Sequence, residues 1–82
     1  MSPDQIVAEA LATLLDLEAD SFGDGTLLDE LEGWDSVNAL RVLVYLEREV
    51  GGALEFEPYS SAATVGEVAD VVATALGKAV TR

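Results

Sequence analysis

The side chains able to do chemistry in this sequence carry oxygen: sixteen carboxylates and a scattering of hydroxyls, with no histidine and no cysteine. Without an imidazole, general-base catalysis by histidine and Ser-His-Asp chemistry within the chain are excluded. Without a thiol, so are disulfide frameworks, zinc–thiolate sites and cysteine nucleophiles. One hydroxyl nevertheless stands in a promising setting. Ser36 follows Asp35 just after a turn containing Gly33, and just ahead of an apolar periodic run from Val37. It falls on the first turn of an expected helix, where its hydroxyl can project to solvent. A phosphate attached there would lie beside N–H groups that lack an intrahelical acceptor, at the positive end of the helix dipole. Nothing in the chain could activate this hydroxyl. If Ser36 is a chemical handle, another enzyme must modify it.

The carboxylates invite two other chemistries, and both fail on spacing. Placing Gly25 at the glycine of a calcium-binding EF-hand loop makes Asp20 the first ligand, but puts Phe22 third and Leu31 twelfth, where neither can ligate. Starting at Asp16 puts Ser21 where the glycine must be. The segment reads as a solvated acidic loop, and no metal is expected. Paired carboxylates for glycoside hydrolysis would arise by chance among so many acids, and a small bundle offers little room for a deep substrate cleft. A hydrolase is not expected.

The elements that must position Ser36 follow from caps and periodicity. Ser2, Pro3 and Gln5 form a helix start with a capping box, followed by Ile6, Val7, Ala10, Leu11, Leu14 and Leu15 at helical spacing. This helix should fade near Leu17, before the loop Glu18 to Gly25. Asp35 or Ser36 caps a second helix from Val37 to Val50, stopped by Gly51 and Gly52. Tyr59 to Ala63 is expected to form a short helical turn. Thr64 with Glu67 makes another capping box, opening a last helix with Val65, Val68, Val72, Ala75 and Leu76 on one face. No segment alternates long enough to be a strand. The fold class is therefore all-α, a small four-helix bundle of three main helices and one short one, with a long first loop. A single domain over residues 1–82 is the expectation.

The second helix carries two apolar stripes. Ala39, Val42, Leu43, Leu46 and Val50 suffice to join a core, whereas Val37, Leu40 and Val44 form a further strip beginning next to Ser36. That strip is either a wider buried face or an exposed surface suited to docking another protein or a bound chain. Arg41 and Arg48, half of the four basic residues, lie on the same helix with no carboxylate three or four positions away. Tyr45 is within reach of both. They are partner contacts or simply solvated.

A formal net charge of −12 repels nucleic-acid phosphates and anionic membranes, so neither is an expected partner. Apolar runs are far too short for a membrane span, and Met1 to Gln5 has no leader-like pattern. A soluble, cytoplasmic monomer is expected.

Taken together, these features resemble the acyl carrier protein superfamily, which includes peptidyl and D-alanyl carriers. The resemblance spans the whole chain: a helix, a long acidic loop, the run Gly33, Trp34, Asp35, Ser36, Val37, an amphipathic helix to Gly51, and Thr64, Val65, Gly66 before the last helix. It implies that Ser36 accepts 4′-phosphopantetheine from coenzyme A, delivered by a phosphopantetheinyl transferase, and that Asp35 helps that enzyme recognise or position the serine. It also implies that Val37, Leu40 and Val44 meet partner enzymes and the arm. Arg41 and Arg48 depart from the acidic residues usual along this helix in family members recognised by fatty-acid enzymes, and from their own position they are added to the expected partner face. Trp34 before Asp35 resembles free-standing carriers of specialised pathways and D-alanyl carriers more than fatty-acid carriers. The implied function is a non-catalytic carrier, holding acyl or aminoacyl thioesters in polyketide, nonribosomal peptide or related biosynthesis. Its partners would be adenylating or acyltransferase loading enzymes and downstream enzymes. The alternative is an unmodified acidic adaptor that binds a basic protein surface.

Overall fold

The computed structural model describes residues 2–80, with side chains as far as Gly77. Four helices, α1 (Pro3–Leu15), α2 (Ser36–Val50), α3 (Phe56–Ser61) and α4 (Val65–Val80), are joined by a long first connection containing one 3-10 turn at Leu28–Glu30. No strand forms among the described residues; Leu27 and Thr64 make only an isolated antiparallel bridge. The architecture is the expected all-α bundle.

Local chemistry explains where each helix begins. At α1 the Gln5 N–H donates to Ser2 Oγ at 3.2 Å, and the Ser2 N–H donates to Gln5 Oε1 at 3.1 Å, which completes the capping box. The helix stops at Leu15 rather than fading near Leu17, because Asp16 turns into the left-handed region with φ 58°. Aspartate tolerates that conformation, so no glycine marks the stop. The short helix α3 covers Phe56–Ser61 instead of Tyr59 to Ala63. Pro58 falls within its first turn, where a missing N–H costs no intrahelical hydrogen bond.

The helices meet through one core. Ile6, Val7, Ala10 and Leu11 of α1, Val42 and Leu46 of α2, and Val65, Val68, Ala69 and Val72 of α4 are buried together with Leu28, Leu31, Leu54 and Tyr59. Burying a Val or Leu side chain fully contributes roughly 1.5–3 kcal/mol, so these positions hold helices too short to persist alone. The phenol of Tyr59 donates to the backbone carbonyl of Ala39, tying α3 to α2. Burial pushes its pKa well above the usual phenol range.

The first connection is anchored by backbone rather than by periodic side chains. Val65 N–H donates to the Thr26 carbonyl at 3.0 Å, Gly66 N–H to the Asp24 carbonyl at 2.8 Å, and Leu28 N–H to the Ala63 carbonyl at 2.8 Å. Glu67 N–H, next along α4, bonds Thr64 Oγ1 at 3.2 Å, and the Glu67 carboxylate accepts from the Thr64 and Ala63 N–H groups. Every first-turn donor of α4 thereby finds an acceptor, two of them supplied by the loop. A Cβ at Gly66 would come within 3.0 Å of the Asp24 carbonyl oxygen, so this approach requires glycine.

Candidate functional site

The head of α2 is built around Asp35. Its backbone is extended, and its side-chain Oδ1 accepts the Asn38 N–H at 2.8 Å, which makes it the N-cap. Ser36 is consequently the first helical residue rather than the cap. Its side chain is exposed, and its hydroxyl makes no hydrogen bond with any described residue. The Ser36 and Val37 N–H groups precede the first intrahelical hydrogen bond, and the N-terminal end of the helix favours negative charge beside them. A phosphodiester on Ser36 thus fits, with open space around the oxygen and backbone donors and a favourable dipole nearby.

The turn before the helix is held by Asn38, a residue whose part the sequence reading missed. Asn38 Nδ2 donates to the Gly33 carbonyl at 2.7 Å, and Arg41 donates to Asn38 Oδ1 at 3.1 Å. Gly33 itself has φ 89°, a backbone that glycine adopts without strain. Gly33, Asn38 and Arg41 therefore form a polar chain that fixes how the loop enters α2. The only signal for it was an amide side chain three residues beyond the cap.

The two stripes of α2 separate cleanly. Val42 and Leu46 are fully buried, whereas Val37, Leu40 and Val44 are 66%, 54% and 54% exposed. The wider-core interpretation of the second stripe is excluded. Leu40, Arg41, Val44, Tyr45 and Arg48 instead line a groove of about 360 Å³ with Leu14 of α1. Arg48 makes no ion pair with a described residue. Val37, Leu40, Arg41, Val44 and Arg48 thus share the outer face of the helix that Ser36 opens. Among the described residues no group of three or more carboxylates could hold a metal ion, and no helix is long and apolar enough to cross a membrane.

Fold and site together define a small helical platform that displays one uncommitted hydroxyl at a helix head. The family model described as phosphopantetheine attachment site matches residues 5–72, most of the chain, and the protein belongs to that family. This agrees with the resemblance to the acyl carrier protein superfamily. No curated protein matches the chain. Its cofactor is covalent 4′-phosphopantetheine, and it is a carrier domain served by a phosphopantetheinyl transferase and used by biosynthetic enzymes. The bound arm supplies a terminal thiol that can hold a thioester, the sulfur chemistry which a cysteine-free chain lacks.

Proposed function

We propose that Ser36 is the attachment residue and that the chain acts as a single carrier domain. In this reading the Ser36 oxygen forms a bond to the phosphorus of phosphopantetheine, the pyrophosphate link of coenzyme A breaks, and adenosine bisphosphate leaves with the charge. The proton of the serine goes to solvent or to the transferase, since no described residue bonds this hydroxyl. Asp35 holds the helix start in the conformation that the transferase meets. The chain itself is non-catalytic and cytoplasmic, and it presents acyl or aminoacyl thioesters to loading enzymes (adenylating or acyltransferase) and to downstream enzymes of polyketide or nonribosomal-peptide-type metabolism.

The observation that carries this reading is the freedom of the Ser36 hydroxyl, made possible because Asp35 does the capping. Other serines inside the matched span are less suited. The hydroxyls of Ser21 and Ser60 donate to the carbonyls of Glu18 and Glu57. Ser61 closes α3, where outward carbonyls disfavour a phosphate.

Intact mass after incubation with coenzyme A and a broad-specificity phosphopantetheinyl transferase tests the assignment. Wild type should gain one arm and Ser36→Ala none. A bare wild-type chain, or an unaltered gain in Ser36→Ala, overturns it. The acidic body should also speed encounter with a basic transferase surface, so association should slow as salt rises.

A further inference from the structure

The groove between α1 and α2 is the surface feature that attachment chemistry leaves unused. Leu14, Leu40, Val44 and Tyr45 give it an apolar and aromatic lining, and its charges, Arg41 and Arg48, are both positive. That is unexpected on a chain of net charge −12. No carboxylate occurs on α2 between Ser36 and Leu46. The first one beyond, Glu47, is engaged by the Leu54 N–H at 3.0 Å and serves the connection to α3. Arg41 and Arg48 stand seven residues apart, or about 10 Å along a helix at its standard rise. Val44 lies between them. The groove is therefore a cationic, apolar strip on an anionic body.

We propose that this groove docks a partner protein whose contact surface carries an apolar side chain between two carboxylates spaced about 10 Å apart, the spacing of acids seven residues apart on a helix. The identity of that partner as an enzyme acting on the attached group rests on the carrier reading above; the chemistry of the contact does not. Charge complementarity commits the groove to acids. Guanidinium–carboxylate pairs are the strong, directional kind of charged hydrogen bond. An apolar knob seated among Leu40, Val44 and Tyr45 would exclude water from both pairs, the setting in which arginine and tyrosine contribute most to an interface. The net charge of the body opposes an acidic partner at long range. At physiological salt that field decays over about 8 Å, which leaves the contacting arginines to decide at close approach. The groove thus selects by contact, whereas the acidic body selects by attraction at a distance.

The test uses three helical peptides that share a central leucine flanked by two positions seven residues apart, filled by Glu, Gln or Lys, titrated into the isotopically labelled full chain. The Glu peptide should shift the amide resonances of Leu14, Leu40, Val44 and Tyr45, and should bind about tenfold more tightly than the Gln peptide. In the double variant Arg41→Glu with Arg48→Glu the order should invert, with the Lys peptide binding best; that gain also shows the variant is folded. Equal or tighter binding of the Lys peptide by wild type overturns the proposal. So does a wild-type dimer in sedimentation that the double variant dissociates, since the occupant would then be a second copy of the chain. The transferase mass assay on the same wild-type preparation keeps the two readings apart. Mass gain without a Glu preference removes the groove proposal alone, and a Glu preference without mass gain removes the carrier reading alone.

Discussion

Residues 16–35 and helix α2 are neighbours in sequence and opposites in how they are held. The connection carries eight of the sixteen carboxylates and no basic residue, while the first eleven residues of α2 carry no carboxylate and one arginine. Order in the connection comes from backbone hydrogen bonds to α4 and a few apolar anchors such as Leu28 and Leu31. Order in α2 comes from a buried stripe at helical period and a single carboxylate cap. The difference separates two tasks. The connection can spend its side chains on charge because its backbone is clamped elsewhere. The outer face of α2 can stay apolar because its inner face already holds it.

Substitutions can break or sharpen this contrast. The largest expected effect is functional: Ser36→Ala should abolish arm attachment entirely, while denaturant unfolding stays within about 0.5 kcal/mol of wild type, because the substituted residue is exposed and does not cap. On the inner face, Leu46→Ala should cost about 2–5 kcal/mol in the same unfolding measurement, as for other buried leucines. Gly66→Ala attacks the clamp instead. Its new methyl would press on the Asp24 carbonyl and should cost about 1–3 kcal/mol, with faster amide exchange at Leu28 as the local signature.

Tyr59→Phe should cost about 0.5–1.5 kcal/mol through loss of the hydrogen bond to Ala39. Its pH behaviour has a definite sign. Below the ordinary phenol pKa of 10.0 both folded and unfolded chains keep the proton, so the contribution of Tyr59 is complete. Above it the unfolded chain ionises first while the buried phenol holds its proton, so wild-type stability falls as pH rises. The Phe variant should lack that component of the loss in alkaline unfolding titrations. The smallest effect is expected at Asp20, an exposed loop position: Asp20→Asn should leave stability within about 0.5 kcal/mol and slow transferase association only slightly in low salt.

Much of the fold was legible because caps and stripes are local. Ser2 with Gln5, Thr64 with Glu67, and the Val42–Leu46 stripe follow from spacing alone, and each is present in the structure. The exposed hydroxyl at the head of α2 was legible for the same reason. The division between Asp35 and Ser36 was not, because either residue can cap a helix and only hydrogen-bond geometry separates them. Nor were the bounds of α3, since Pro58 reads as a breaker unless it falls in a first turn. The clamp between Asp24 and Gly66 pairs backbone groups over forty residues apart, and main-chain atoms leave no trace in side-chain periodicity. The opening of the Leu40–Val44 face was undecided in sequence because a stripe specifies a direction and not what covers it.

The cap at Asp35 has one more consequence. A helix whose first turn is secured by the preceding carboxylate keeps the same footing whether the next oxygen is bare or esterified. With Ser36 as the proposed attachment residue, folding and arm attachment would be uncoupled: an unmodified molecule should resist proteolysis as long as a modified one, and supply of active carrier would be governed by the enzymes that dress it rather than by turnover of the naked form.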